Sequence, residues 1–519
     1  MALKQIVIDN ILGGWQPSEY FALKGQFLNS VGIDPEMPKD DSTTRPSGLI
    51  RPTAMANIAS NLTGACLWLT GTNKDSLTYG YNSDGKVFTL DSSYALAYLN
   101  SGSALTGAAN GLEYYNNYVY YAGNVDVIRY GPLVGTTPSF NTTFWTGTLA
   151  KTALTNTTYP SINGIAIPNH PMCVHKANNR IYFGDVKSDG TGIISMIKTK
   201  KVTYEGDTDD TTVPSAYNVL DLYTGWYPTC ISSYNSMIAI GVIDGTSTTV
   251  KQQNAKVVFW STLSTDTGYN LVVELPDPLI TALKFVNGVL YAFTGNATGG
   301  CRISQYIGGR TFQEIMYLDD TFPPFQGAVD YLLGKLVFGG KMSVPQTAAV
   351  TYSFGGKQRA LAMGIHCPQK TTSAGSSPMA TAVKYLAQGA TAQPVVAWKD
   401  GSLKGIDKPS TTYISSGNVL RSEIFRVSES AKIVSIRIPV VNGMAANKSF
   451  TVQAHYDDDS AQSSVITVSN TTNPSEKFIH ISREGMTFKN NFFLEFINTG
   501  TALCVLGLPI TIEIETGLD

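Results

Sequence analysis

Five histidines, six cysteines and a few Asp-rich turns are the groups in this 519-residue chain that could carry acid–base, nucleophilic or metal chemistry. His170, His175, His366, His455 and His480 have no partners at metal-ligand spacing, and no His-Glu-x-x-His occurs. His175 sits in a repeated hairpin, and His455 and His480 in strand-like runs, so these histidines read as structural. Asp457-Asp458-Asp459 lacks the alternating ligand spacing of a Ca²⁺ loop and reads as a solvated turn. Asp84-Gly85, Asp189-Gly190, Asp244-Gly245 and Asp400-Gly401 are turn pairs. Cys66, Cys173, Cys230, Cys301, Cys367 and Cys504 are far apart and form no Cys-x-x-Cys, so reduced thiols made in a cytosol are expected. No phosphate-binding loop, nucleophile elbow or dinucleotide fingerprint appears. The expectation is no catalytic residue, no cofactor and no metal. A glycoside hydrolase would need two facing carboxylates, and such a pair scattered over repeats would not show in sequence.

The elements that would position any such group are β-hairpins. A short apolar run, an Asn- or Gly-containing turn and a second run ending in Gly recur at Gly111–Gly123, Met172–Gly184, Thr229–Gly241, Ile280–Gly295 and Ala328–Gly340. Asn and Gly tolerate the positive φ of tight hairpin turns. The residues that follow the turns, Tyr118, Arg180, Met237, Val289 and Lys335, are 62, 57, 52 and 46 residues apart. A four-stranded propeller blade takes roughly 40–50 residues, so these gaps fit one blade plus insertions. A further strand follows each hairpin, near 126–130, 192–198, 256–263, 301–307 and 349–354. Weaker units flank the five, at Met55–Gly71 with its following runs and at 379–401. The pattern predicts a β-propeller of six or seven blades over residues 51–410, the uncertainty arising because a terminal unit can be completed by a strand from the other end of the repeat. A many-hairpin sandwich is the competing all-β arrangement. Helical signals are sparse, with a short candidate at Ser93–Leu99.

Beyond about residue 418 the register changes. Short alternating runs follow one another every 8–14 residues to the end, which predicts a C-terminal β-sandwich over 418–519. Residues 1–50 form an irregular, Pro-punctuated N-terminal arm that must either stay mobile or lie on a surface, its own or a neighbour's. Charged residues make up 15% of the chain and the net charge is −2, which lacks the basic footprint of a nucleic-acid reader. No stretch approaches the ~20 apolar residues of a membrane span, and Met1–Asn10 holds no apolar leader core. Tyr114, Tyr115, Tyr118, Tyr120 and Tyr121 must populate both faces of one hairpin. One face is core; the other is a candidate interface, or less readily a glycan-stacking surface, and Tyr114 and Tyr115 are the candidate interface residues.

The arm carries a family resemblance. Asn10-Ile11-Leu12-Gly13-Gly14-Trp15-Gln16-Pro17, followed about thirty residues later by Arg45-Pro46-Ser47-Gly48-Leu49-Ile50-Arg51-Pro52, resembles the start of tail nozzle (tail tubular or hub) proteins of short-tailed bacteriophages. The resemblance implies a structural virion protein rather than an enzyme. It would be a homo-oligomeric ring subunit, made in the host cytoplasm and placed in the virion tail. DNA would pass without sequence-specific binding, and portal, adaptor or other tail proteins would be neighbours. Trp15, Gln16, Pro17, Arg45, Pro46 and Arg51 become candidate interface residues beside Tyr114 and Tyr115. The chain departs from the larger nozzle proteins in length and in placing its sandwich wholly after the propeller. The alternatives are a host-attachment adhesin that binds surface glycan, and a propeller glycan hydrolase.

Overall fold

A computed structural model describes residues 2–9, 14–15, 26–31, 54–60, 62–198, 216–245, 254–262, 268–318, 322–332, 335–341, 349–355, 363–367, 379–386, 393–410, 418–457, 461–482 and 487–517, apart from 73, 106 and 503. The chain is all-β and divides into two compact units, one built from residues 57–350 and 370–408, the other from 1–56, 351–369 and 409–519.

The first unit is the β-propeller. Antiparallel four-stranded sheets follow one another in chain order, beginning at Cys66–Gly71, Gly111–Tyr115, Met172–His175, Trp226–Tyr234 and Leu279–Val286. A sixth opens with the hairpin of Val329–Leu332 and Lys335–Lys341. The last opens with Met379–Leu386 and is finished by a strand from before the first sheet, Ala54–Ser60, beside Leu403–Ser410. The strands of all five repeated hairpins pair, and three of the turns are described in the expected form: Asn116 and Asn117 have φ of 54° and 70°, Asn235 51°, Asn287 48° and Gly288 85°. The second hairpin turns over four residues between His175 and Arg180, and the turn of the fifth lies outside the described residues. Inner strands carry a recurring irregularity in register, between Cys66 and Trp68, Pro228 and Cys230, Ile280 and Ala282, and Ala380 and Ala382. Such a bulge raises local twist and lets a strand bend around the axis.

Strands from successive sheets alternate their apolar residues, so each sheet is buried on both faces. Tyr81 meets Tyr121 edge-on at 5.3 Å, and Tyr182 meets Trp260 at 5.7 Å. Gly241 shows how close the sheets come: a Cβ there would lie 2.4 Å from Cys230 Sγ and 3.0 Å from an Ile280 methyl. The expected helix at Ser93–Leu99 is not formed. The Asp91 carboxylate accepts from Ser93 N and Ala95 N, which closes a turn, and Leu96–Tyr98 then pairs with Val87–Leu90.

The second unit is a β-sandwich. One sheet has the order Ala2–Ile8, Ile510–Thr516, Ala431–Pro439, Phe478–Ser482. The other is built on Ser449–Tyr456 and Asn491–Asn498, with Asn418–Arg421 and Asn29–Val31 beyond them. Ile433, Ile436, Ile438, Ile510, Ile512 and Ile514 from the first sheet are buried with Val452, Phe492, Leu494 and Phe496 from the second. Described parts of the arm are strands of this unit: Ala2–Ile8 runs antiparallel to the last strand, and Ile8 and Phe27 are buried in the sandwich core. An isolated antiparallel bridge joins Val440 and Leu506.

Candidate functional site

The inner strands of a propeller converge on its axis, so residues at one repeat position become neighbours. The short turn Gln326–Ala328 crosses this region. Gln326 Oε1 accepts from Leu283 N at 2.9 Å, while its Nε2 donates to Leu283 O at 3.0 Å and Ile231 O at 3.4 Å. Gly327 comes so near the first sheet that a Cβ would lie 2.0 Å from Leu67 O. One side chain and one glycine thus tie three sheets together across the axis.

One residue beyond Leu283, a charged cluster begins. Lys284 Nζ donates to Asp330 Oδ1 at 3.1 Å, and Lys384 Nζ lies 3.4 Å from Asp330 Oδ2. Asp330 is buried, and the two lysines are largely so. Glu113 is within electrostatic reach of this trio and of Lys176. Burial pushes the Glu113 carboxyl up to about 7, with Lys384 and Lys284 opposing the shift. A carboxyl that titrates near neutrality beside lysines and a second carboxylate can donate or accept a proton at working pH. The four residues come from four different sheets.

Sequence reasoning missed this cluster, yet a signal was present. Gly-Leu-Glu-Tyr-Tyr at 111–115, Ala-Leu-Lys-Phe-Val at 282–286, Ala-Val-Asp-Tyr-Leu at 328–332 and Ala-Val-Lys-Tyr-Leu at 382–386 put a charge at the same place in an otherwise apolar phrase. A charge inside a core-forming run points to a shared interior. Glu113 and Asp330 are two carboxyls on different repeats, a pairing that sequence spacing does not show.

The histidines are held by neighbours. His170 is fully buried, with Nδ1 2.8 Å from Gly123 O and Nε2 3.1 Å from Thr155 O and 3.3 Å from Asp185 Oδ1. His175 Nδ1 lies 2.8 Å from Ser233 Oγ, and burial lowers its pKa. His455 stacks on Phe493 at 4.6 Å. Cys66, Cys173, Cys230, Cys301 and Cys504 are buried free thiols, and burial pushes Cys66 and Cys230 up to about 12. No group of three or more metal-ligating side chains occurs among the described residues. Asp457 accepts from the backbone of Asn490 at 2.7 Å, as a turn residue does; Asp458 and Asp459 lie outside the described residues.

Of the expected interface residues, Tyr114 and Tyr115 are partly buried on Gly111–Tyr115. Tyr115 Oη donates to Asn179 Oδ1 at 2.6 Å, which joins two neighbouring hairpins, and Tyr114 packs against the propeller core. Tyr120 and Tyr121 are fully buried. Trp15 lies in a two-residue strand parallel to Gln26–Phe27. Gln16, Pro17, Arg45, Pro46 and Arg51 lie outside the described residues. Among the described residues, no helix is long and apolar enough to cross a membrane.

No protein-family model matches the chain, and no curated protein matches it. Solved structures that resemble it include the β-propeller domain of Myceliophteria thermophila Cps50 (Swd1), with 9% identity, TM-score 0.41, and coverage of 68% of this chain and 99% of that one. The Neurospora crassa Pan2 WD40 domain has 8% identity and TM-score 0.40 over 68% and 95% of the two chains. A streptogramin B lyase has 12% identity and TM-score 0.40 over 69% and 97%. At these values nothing of those proteins' roles carries over to this chain.

Proposed function

We propose that this protein is a structural subunit of a short-tailed phage tail, assembled as a homo-oligomeric nozzle or hub ring in the virion and without enzymatic activity. The observation that carries this reading is that N-terminal strands finish both units. Ala2–Ile8 zips along Ile510–Thr516, and Ala54–Ser60 completes the last propeller sheet. Ladders closed in this way leave few free strand edges and resist being pulled open from the termini, as a load-carrying particle component requires. The Gly-Gly-Trp-Gln-Pro and Arg-Pro segments, whose likeness to nozzle proteins suggests the role, supply the contacts to neighbouring subunits, adaptor or portal. In this reading DNA runs through the lumen between subunits and not through the propeller, whose inner strands are bridged by Gln326. The low charge of the chain suits passage without strong phosphate contacts. Native mass measurement of the full chain is expected to give a defined multiple of 55.9 kDa, and particle imaging to show it at a tail. A monodisperse monomer that is absent from purified particles overturns the proposal.

The axial cluster favours a second reading, a polysaccharide hydrolase with Glu113 as general acid and Asp330 as the second carboxylate. That reading requires turnover of a host polysaccharide that Glu113→Gln abolishes while the fold persists.

A further inference from the structure

Three aromatic rings meet at the outer part of the propeller unit, well away from the charged cluster in sequence and topology. Tyr223 ends the fourth strand of the third sheet and is 61% exposed. Trp226 opens the next sheet, and Tyr269 precedes its outer strand Leu271–Glu274. Gly225 between them has φ of 91°, a left-handed conformation that brings the chain around in one step.

The rings form a corner. Trp226 and Tyr269 lie 6.2 Å apart with planes 31° from parallel, and Tyr223 stands against Trp226 at 4.9 Å and 65°. Trp226 and Tyr269 are partly buried against an apolar cluster of sheets three and four, which fixes the floor, while Tyr223 projects. Tyr223 and Tyr269 lie 6.2 Å apart with planes at 56°, so each ring touches the other two.

We infer that Tyr223, Trp226 and Tyr269 form a stacking site for a neutral carbohydrate. The axial C–H groups of a pyranose give it a weakly positive, apolar face that suits the negative face of an aromatic ring. Its hydroxyls can meet the polar rim, where Thr191 and Thr224 hydroxyls lie 3.0 Å apart. The charges nearby favour a neutral ligand. Lys187 is bonded to Asp221, and Lys256, which lies over the Trp226 ring, is 3.8 Å from Glu274. A single-stranded nucleic acid offers bases to the same rings, but it needs unpaired cations for its phosphates. Three rings also fall short of the roughly 800 Å² per partner that a stable protein interface covers. The inference is independent of the proposed tail role.

The test is affinity electrophoresis of the full chain through gels that contain dextran, galactomannan or a β-glucan, with an oligo-dT binding assay and native mass alongside. At least one neutral polysaccharide is expected to retard the chain. Tyr223→Ala should weaken that retardation about tenfold, the loss of one stacked ring, while Tyr223→Phe keeps it. Tyr223 is exposed, so melting temperature should not move. Four outcomes overturn the inference: no retardation in any gel, retardation unchanged in Tyr223→Ala, preferential binding of oligo-dT, or a change in native mass that makes the corner a self-contact. A ring that forms but is never retarded would reject the sugar site and leave the tail role standing.

Discussion

Glu113 is a partly buried carboxyl and His170 a fully buried imidazole. Glu113 has its pKa raised to about 7, so its charged form is the one the fold disfavours. The stability it supports is full below its unfolded value and is lost as pH rises through about 7. Glu113→Gln should therefore leave the melting temperature at pH 4 nearly unchanged and raise it at pH 8, as a pH series of thermal melts on both proteins would show. A variant less stable at pH 8 would mean that the ionised carboxylate is needed by the lysines. His170 instead shares a fully buried site with Asp185. The Asp185 carboxylate keeps its bonds from Thr155 N and Val186 N, so His170→Ala takes the ring away from Gly123 O and Thr155 O and leaves a buried gap. The variant is expected to cost about 1–3 kcal/mol in denaturant unfolding. The His170 environment could not be read from its surroundings in sequence, because Asp185, Gly123 and Thr155 reach it only through packing.

At the scale of elements, the hairpins were legible and the closures only in outline. Turn chemistry acts over four residues, so Asn116-Asn117 and Asn287-Gly288 announce their turns locally. Outer strands such as Ser139–Asn141 and Ala216–Thr224 were missed, since they follow loops or insertions and carry weak alternation. That a terminal unit would borrow a strand was expected, but not which residues would lock it. Asn57 Nδ2 donates to Asp407 Oδ1 at 2.9 Å and also contacts Ile406 O and Ala59 O. Burial pushes the Asp407 carboxyl up to about 6, so it is ionised at neutral pH inside the closing sheet and relies on that donor. Asn57→Ala should cost about 1–2 kcal/mol at pH 7, and less at pH 4, where Asp407 is protonated. Denaturant melts at the two pH values distinguish this from a loss that does not vary with pH.

For the whole molecule, the propeller and sandwich boundaries near residues 51–57 and 408–418 were visible as a change in strand spacing, but the sandwich's composition was not. The run 418–519 looks self-sufficient, with eight candidate strands. In the fold it takes Ala2–Ile8 and Asn29–Val31 from the other end of the chain, and Ile8 and Phe27 fill its core. A fragment of residues 418–519 alone leaves Ile510–Thr516 as an open edge. It is expected to aggregate or to give a poorly dispersed NMR spectrum, whereas the same fragment fused to residues 1–31 should be better ordered. A well-folded 418–519 fragment would contradict this.

The amino-acid sequence by itself determined that the protein is all-β, that it repeats a hairpin at blade-like spacing and that a second β unit follows. Those properties arise from turn residues and alternation, which act between near neighbours in the chain. Only the tertiary structure decided which charges meet. Glu113, Lys284, Asp330 and Lys384 are separated by tens to hundreds of residues and become neighbours because inner strands of successive sheets share one axis. In the tyrosine run one face was expected in the core; packing of sheet on sheet buried both Tyr120 and Tyr121, which point to opposite faces, while Tyr223, unremarked in sequence, stayed in solvent. Burial is a property of what packs against a strand, and a strand's own residues do not state it.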